Sequence, residues 1–349
     1  MSELMAVKVL GLLAALVLFA WWQLRDLAQT GGASALAGQV VLVTGAASGI
    51  GAAGVRELLR LGAHPVLVDC DAEPLAALAH ALEVEGRPGA VGAAAETMPD
   101  PSLLWVVADV TVQSQCEAAV AAAVARFGRV DVVWANAGLA AFGPLALIEP
   151  QAWQRCIEVN VLGVFHTVRA ALPEVMRQRG QVLVSASVAS FAHPPMLSAY
   201  AASKAAEEAM CNAWRIELAA HGVNVCALHA SWVRTPLMDE GALHPAFARL
   251  RATMPQAMNQ AMAPEAAARL IMQGLAARRS RIWVPGWVRW LYLGRALLHT
   301  AVAERTLRKA APELEALYQQ VLAESGPAAS SAGPRELARS HVRGADDRA

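Results

Sequence analysis

The stretch from Val40 to Gly51 constrains the fold more than any other part of the sequence. Four apolar residues, Val40 to Val43, predict a buried strand, and the turn from Thr44 to Gly51 leads into an apolar helical pattern. Glycines at such a turn let the backbone approach a ligand closely, and the first N–H groups of the helix attract a diphosphate. The pattern therefore predicts a dinucleotide site, although a plain glycine turn is the alternative for this segment alone.

Apolar strands alternate with helical patterns along the rest of this region. We predict strands at 64–69, 103–108, 130–135, 181–185 and 281–284, and helices at 72–84, 113–127, 198–220 and 266–277. Such alternation is typical of an α/β fold with a Rossmann-type doubly wound parallel sheet and helices on both faces. Ligands of these sheets bind at the carboxyl ends of the strands, where this chain carries its polar candidates.

An acidic residue, Asp69, ends the second predicted strand. In dinucleotide folds an acid near this place accepts hydrogen bonds from the adenosine ribose and repels a 2′-phosphate. Asp69 therefore predicts NAD rather than NADP as the cofactor. A solvated acid at a strand end is the alternative, and Asp71 is the weaker candidate for the same role.

Tyr200 and Lys204 are four residues apart on a predicted helix, so they share one face. A free tyrosine titrates near 10, and a neighbouring ammonium is expected to lower its pKa towards the working range of a base. Ser187 follows the fifth predicted strand and could hydrogen-bond the same substrate oxygen. These three residues predict an acid/base site.

The order of these residues resembles the short-chain dehydrogenase/reductase family. The motifs are Thr44-Gly45-x-x-x-Gly49-Ile50-Gly51, Asp109-Val110, Asn136-Ala137-Gly138, Asn160-Val161, Ser187 and Tyr200-x-x-x-Lys204. The resemblance covers residues 38–284. It implies an NAD(P)-dependent oxidoreductase that transfers a hydride between nicotinamide and an alcohol or ketone.

The resemblance also implies roles for single positions. Tyr200 would be the acid/base, Lys204 would lower its pKa and hold the nicotinamide ribose, Ser187 would stabilise the substrate oxygen, and Asn160 would hold a water in a proton relay. The implied cofactor-binding positions are Gly45, Ser48, Gly49, Ile50, Gly51, Asp69, Asp109, Val110, Asn136, Ala137, Gly138, Tyr200, Lys204, Val233 and Thr235. Two positions depart from the family pattern: Ala230-Ser231 replaces a common Pro-Gly, and Ala135 replaces an Asn. No metal site is expected, because His193 and His229 lack metal-like spacing.

The N-terminal unit, residues 1–37, lies outside the resemblance. Residues 4–24 are apolar apart from Lys8 and Gln23, and as a helix they would be about 31 Å long. We expect a membrane anchor here, with a cleaved signal peptide or a buried helix as the alternatives. The need for a cofactor pool places the predicted catalytic domain on the cytoplasmic side.

Three further segments complete the predicted organisation. A Met-rich, apolar lid over the substrate is expected at 236–264, within a catalytic domain of residues 38–285. Residues 286–324 interleave Trp with Arg and predict an amphipathic helical extension that contacts a membrane, the body or a second subunit. Residues 325–349 are expected to be disordered.

Composition limits the partners. Acidic and basic residues balance at 29 each, so the chain has no overall field for nucleic acid. A hydrophobic content of 56% favours contact with membrane lipid. An apolar lid beside a membrane suits a lipophilic small-molecule substrate, and the chain resembles membrane-anchored family members of the hydroxysteroid or retinol dehydrogenase kind. The resemblance further implies a homo-oligomer, either a dimer or a tetramer. The five scattered cysteines are expected to be small core residues. A non-catalytic NAD-binding scaffold is the alternative to an enzyme.

Overall fold

A computed structural model of the chain describes residues 33–85, 102–242 and 244–330. Seven parallel strands form one sheet in the order β3-β2-β1-β4-β5-β6-β7. The strands are β1 (Val40–Thr44), β2 (His64–Asp69), β3 (Leu104–Val107), β4 (Val132–Ala135), β5 (Gln181–Val184), β6 (Asn224–Ala230) and β7 (Arg281–Val284). The strand order reverses between β1 and β4, which is where doubly wound sheets open a ligand crevice. The predicted Rossmann-type sheet is confirmed.

Helices cover both faces of the sheet. They are α1 (Gly49–Arg60), α2 (Ala72–Glu85), α3 (Gln113–Phe127), α4 (Pro150–Ile157), α5 (Gly163–Arg177), α6 (Ser198–Glu217), α7 (Pro236–Ala242), α8 (Pro245–Ala252), α9 (Pro264–Ala276), α10 (Val288–Leu293) and α11 (Ala301–Ser325). Val41 and Val43 pack under α1, α2 and α9, whereas Val40 and Leu42 pack under α3, α5 and α6. Every residue of β1 is buried, because a parallel sheet has no face towards water.

The C-terminal extension docks on the body of the protein. Leu314 and Tyr318 of α11 are buried against Phe142, Phe247 and Leu250 of the body. The sequence predicted that this extension would contact a membrane, the body or a second subunit. For α11 the structure shows contact with the body. Tyr318 Oη also hydrogen-bonds Ser330 Oγ at 2.6 Å.

We expect Leu314→Ala to lower the free energy of unfolding by about 3 kcal/mol, because it leaves a cavity where α11 meets the body. Urea unfolding checks the value. Val302→Ala is the control, since Val302 lies on the same helix with 84% of its surface exposed and should change stability by less than about 0.5 kcal/mol. Equal losses in the two variants would mean that α11 is not held by this cluster.

Two expectations about the C-terminal half are wrong in detail. Residues 236–264, which the sequence predicts as a long loop or lid, are mostly helical, since Pro236 and Pro245 open α7 and α8 and proline favours the first helical turn. The disorder expected from Ser325 is not found at 326–330, because these residues form a short 3₁₀ helix. Ser330 is buried there and accepts a hydrogen bond from the Glu149 N–H.

Helix α6 and the cysteines also differ from expectation. The predicted helix at 198–220 ends at Glu217 and gives way to a short 3₁₀ turn before Gly222, whose φ is +69°. Four cysteines are buried as expected, but Cys70 is exposed beside the end of β2.

The predicted membrane anchor at 4–24 and the tail beyond residue 330 lie outside the described residues. Across residues 33–85, 102–242 and 244–330, no helix combines the length and hydropathy needed to span a bilayer. The described chain enters at the amino edge of the sheet, where Gly38 N–H donates to the Gly62 carbonyl ahead of β2. The predicted site residues lie at the opposite, carboxyl edge.

Candidate active site

The glycine turn after β1 has no room for side chains at its glycine positions, and we call this turn the glycine cradle. Gly45 and Gly49 have φ angles of +64° and +56°, which favour glycine. A Cβ atom on Gly51 would lie 2.1 Å from the Gly45 carbonyl oxygen, and one on Gly45 would lie 2.8 Å from Ala137 Cα. Ser48 precedes α1 as its N-cap residue. The turn therefore brings bare backbone to the N-terminus of a 12-residue helix, as binding of a diphosphate requires.

Asp69 lies beside this turn at the end of β2. Its Oδ2 accepts a hydrogen bond from the Ala47 N–H at 3.0 Å, and its Oδ1 accepts one from the Asp71 N–H at 3.1 Å. These bonds fix the carboxylate at the wall of the crevice, where it also borders the cavity described below. Its position fits the recognition of an adenosine ribose that the sequence predicts.

We expect Asp69→Asn to tighten NADP binding and to weaken NAD binding, each by about tenfold. The substitution removes a negative charge that would repel a 2′-phosphate, and it removes a carboxylate oxygen that would accept hydrogen bonds from the ribose hydroxyls. The ratio of the two dissociation constants, measured by titration, checks this. Asp71→Asn is the comparison variant, and its effect on the ratio should be smaller. A ratio that Asp69→Asn leaves unchanged would remove Asp69 from cofactor selection.

Asn136, after β4, joins three strands at the bottom of the crevice. Its Nδ2 donates to the Thr44 and Gly45 carbonyls at 3.1 and 3.3 Å, and its Oδ1 accepts from Ser185 Oγ at 2.9 Å. Thr44 Oγ1 in turn accepts from the Asn136 and Ala137 N–H groups. The sequence marked Asn136 as a cofactor contact but did not predict this bracing of the glycine turn.

Asp109 and Val110 border the same crevice after β3. Asp109 Oδ1 accepts from Thr111 N and Oγ1 at 2.9 and 2.7 Å, and Arg155 reaches its Oδ2 at 3.4 Å. Arg155, on α4, was not predicted. These contacts hold Asp109 close to the end of its strand.

Asn160 lies in a short π-helical segment, Glu158–Leu162, between α4 and α5. Its Nδ2 donates to the Leu139 carbonyl and to Ser203 Oγ, both at 2.9 Å, and its Oδ1 accepts from the Leu139 N–H at 2.9 Å. Asn160 thus fixes the loop after Gly138 against α6. The proton relay implied by the resemblance stays a prediction.

Tyr200, Lys204 and Ser187 come together at the carboxyl ends of β5 and β6. Lys204 Nζ lies 5.5 Å from the centroid of the Tyr200 ring, and Ser187 borders the same cavity as Tyr200. Lys204 Nζ also donates to the Ser185 carbonyl at 2.8 Å and to the carboxylate of Glu207. Glu207 was missed, although an acid three residues after Lys204 on one helix was the signal that could have revealed it.

The pKa of Tyr200 differs from the simple expectation. Burial raises it above the ordinary value, and this effect outweighs Lys204 and Ser187, which both lower it. In the protein without cofactor or substrate, Tyr200 is therefore protonated at neutral pH. The sequence identified the lysine but could not show that the fold would partly bury Tyr200.

One cavity of about 800 Å³ links the glycine turn to this acid/base group. Val233 and Thr235 border it, as do Gly49, Ile50, Gly138 and the Ala230-Ser231 pair that departs from the family pattern. Away from the glycine turn its wall is largely apolar, although His193, His244, His299 and Glu304 also border it. There the wall includes Phe142, Leu197, Trp232, Phe247, Met254, Met258, Trp287, Leu291, Leu298 and Leu307.

The two histidines differ in their surroundings. His229 is fully buried and stacks on Trp283, while His193 stacks on His299 with 4.7 Å between ring centroids. Burial lowers the pKa of His229 to about 4, so it is neutral at physiological pH. Within the three described ranges, no group of His, Cys, Asp and Glu has the arrangement of a metal site.

The fold and the site define a dinucleotide-dependent oxidoreductase, with a glycine cradle at one end of a cavity and a Tyr–Lys–Ser group inside it. Residues 39–244 match the family model described as short chain dehydrogenase. The chain belongs to this family.

Named relatives agree with this assignment. The chain is 34% identical to the 3-oxoacyl-[acyl-carrier-protein] reductase of Thermotoga maritima over 206 residues, which are 59% of this chain and 78% of the relative. It is 30% identical to the (-)-trans-carveol dehydrogenase of Rhodococcus erythropolis over 213 residues, 60% of this chain and 76% of the relative.

Solved structures agree as well. The 3-ketoacyl-(acyl-carrier-protein) reductase of Brucella melitensis, complexed with NADH, matches with a TM-score of 0.60 and 28% identity, covering 71% of this chain and 97% of its own. A short-chain dehydrogenase/reductase of Burkholderia phymatum in complex with NAD matches with a TM-score of 0.63 and 27% identity, covering 76% and 96%.

Proposed function

We propose that the protein is an NAD-linked alcohol dehydrogenase or ketone reductase for a lipophilic substrate. The observation that carries the proposal is the single cavity, which has the glycine cradle and Asp69 at one end, Tyr200 and Ser187 inside, and an apolar wall at the other end. A ketone or secondary alcohol at Tyr200 would have its oxygen between two hydroxyl groups and its carbon skeleton against apolar side chains.

Each side chain of the site would have a separate role in such a reaction. The bound nicotinamide supplies or accepts the hydride. Tyr200 gives its proton to the substrate oxygen during reduction and takes one during oxidation, while Ser187 hydrogen-bonds the same oxygen. Lys204 stabilises the phenolate that reduction leaves behind. Because burial raises the pKa of Tyr200, the proton needed for reduction is present at neutral pH, and oxidation should be favoured by higher pH.

The apolar wall supports a substrate larger than a small alcohol. Trp287, Leu291, Leu298 and Leu307 border the cavity from the C-terminal extension, which lies beyond the residues matched by the family model. One relative is a dehydrogenase of carveol, a lipophilic alcohol, and another is a reductase of an acyl chain on a carrier protein. We favour a free lipophilic alcohol, of the steroid-like, retinoid-like or long-chain kind.

The experiment is a panel of hydrophobic ketones and alcohols of increasing size, followed by absorbance of NADH at neutral and alkaline pH. The expected result is turnover that increases with apolar surface. Acyl-carrier substrates form a separate arm, and preference for them would overturn the choice of substrate class. Binding of NADH without turnover of any member would instead favour the non-catalytic scaffold.

Membrane attachment and oligomer formation belong to the same proposal. Trp290, Leu297 and Val302 of the C-terminal extension are 67%, 69% and 84% exposed, which supports contact with lipid in addition to the anchor proposed for residues 4–24. The catalytic domain would lie on the cytoplasmic side. Leu162 and Phe165, close to α5, are 48% and 43% exposed and support a dimer or tetramer. Membrane flotation of the full chain and light scattering in detergent test these two points.

A further inference from the structure

A buried carboxylate lies next to the acid/base pair. Glu207 and Lys204 are both on α6, and Glu207 has no exposed surface. Its Oε1 and Oε2 accept hydrogen bonds from Lys204 Nζ at 2.8 and 3.1 Å, and the Ser185 carbonyl accepts from the same nitrogen at 2.8 Å. An ammonium has three hydrogens, and the two oxygens of one carboxylate can share a single hydrogen, so the Ser185 carbonyl and Glu207 need only two of them and leave the third for a ribose hydroxyl.

The thiols that face this pair carry no charge at neutral pH. Burial raises the pKa of Cys156, on α4, to about 11, and it raises the pKa of Cys211, on α6, as well. Tyr200 is protonated for the same reason. Burial also raises the pKa of Glu207, to about 7 even with Lys204 beside it, so its carboxylate supplies the negative charge that balances Lys204 at and above about that pH.

We propose that Glu207 is a positioning residue whose carboxylate keeps Lys204 protonated and fixes its ammonium beside the ring of Tyr200. The inference rests on the proposed function, because it concerns the same site. A buried ammonium without a counter-ion is costly and loses its proton readily. A neutral amine would neither stabilise the phenolate of Tyr200 nor bind a ribose hydroxyl strongly, so both roles of Lys204 depend on Glu207.

The pKa of Lys204 reflects this balance. Burial lowers it and Glu207 raises it, and the net result is a pKa above the ordinary value of lysine. Removing the carboxylate leaves burial unopposed, so Lys204 should lose its proton at a lower pH in the variant. The defect should therefore be small in mildly acidic solution and should grow as the pH rises.

The test measures NADH binding rather than turnover, by energy transfer from the tryptophans to the nicotinamide at several pH values. The chain has 10 tryptophans to act as donors. We expect Glu207→Gln to bind NADH nearly as well as the wild type at about pH 6.5 and at least about tenfold more weakly at about pH 9.5. Glu207→Asp, which keeps the charge, should restore part of the alkaline binding, and it also serves if the Gln variant does not fold.

Two comparisons separate positioning from a general structural role. Glu217→Gln removes an exposed carboxylate at the far end of α6 and should bind NADH like the wild type at every pH. In a Lys204→Met background, Glu207→Gln should have no further effect on binding, because the carboxylate acts through the lysine. If Glu207→Gln binds NADH with the same pH dependence as the wild type, the inference is wrong. If the wild type binds no NADH, the proposed function fails instead.

Discussion

Tyr200→Phe is expected to lower turnover of the best ketone by about 10²- to 10⁴-fold, the usual contribution of a positioned general acid. The substitution removes one oxygen from a partly buried ring and leaves the ring in contact with its neighbours. NADH binding should change little, because the glycine cradle and Asp69 are untouched. Steady-state reduction measured at saturating NADH checks the loss in turnover, and energy-transfer titration checks the retained binding.

Tyr318→Phe is the matched control for this prediction. It removes the same atom from a second tyrosine, which is buried and whose hydroxyl bonds Ser330 at the docked C-terminal helix. It should cost stability, by about 1 kcal/mol for the lost hydrogen bond, and leave turnover of the remaining folded protein nearly intact. Undiminished turnover in Tyr200→Phe would remove Tyr200 from the mechanism. A comparable loss in both variants would mean that the effect is one of folding.

Gly51→Ala should lower the free energy of unfolding by about 3 kcal/mol, the upper end of the usual cost of overpacking. The added Cβ would lie 2.1 Å from the Gly45 carbonyl oxygen, and this neighbour is backbone that cannot turn away. Relief of the clash requires the turn after β1 to open. The N–H groups would then no longer converge, and NADH binding should weaken by about a hundredfold.

Gly286→Ala supplies the control, because a Cβ at Gly286 would meet no atom within 4 Å. This variant should match the wild type in stability and in NADH binding. Urea unfolding and NADH titration of both variants complete the test. Wild-type NADH affinity in Gly51→Ala would contradict the role of the turn as the diphosphate cradle, whatever happens to stability.

The sequence alone indicated six of the seven strands, with β6 missed, and the positions of the main polar groups. Buried parallel strands must be continuously apolar, so β1, β2 and β4 could be recognised from short runs of Val and Leu. Because the carboxyl ends of parallel strands share one edge, Asp69, Asn136 and Ser187 could be placed together before any coordinates were known. The spacing of Tyr200 and Lys204 fixed their common helix face in the same way.

The tertiary structure alone decided features that depend on distant segments. It showed that α11 packs on Phe247 and that its neighbouring segments wall the cavity, which an amphipathic pattern cannot distinguish from contact with lipid. It also showed that Ser330 is buried at the start of a segment whose composition suggested disorder. Both outcomes depend on which surfaces meet after folding, and that information is not local.

The electrostatics of the site depend on depth as well as on neighbours. The sequence places Lys204 near Tyr200, and from this alone the pKa of the phenol should fall. The fold buries Lys204 and part of Tyr200, gives the ammonium a carboxylate partner in Glu207, and thereby raises the pKa of Tyr200 instead. A linear pattern shows which charges are adjacent along a helix, but desolvation depends on everything packed around them, so only the folded chain determines it.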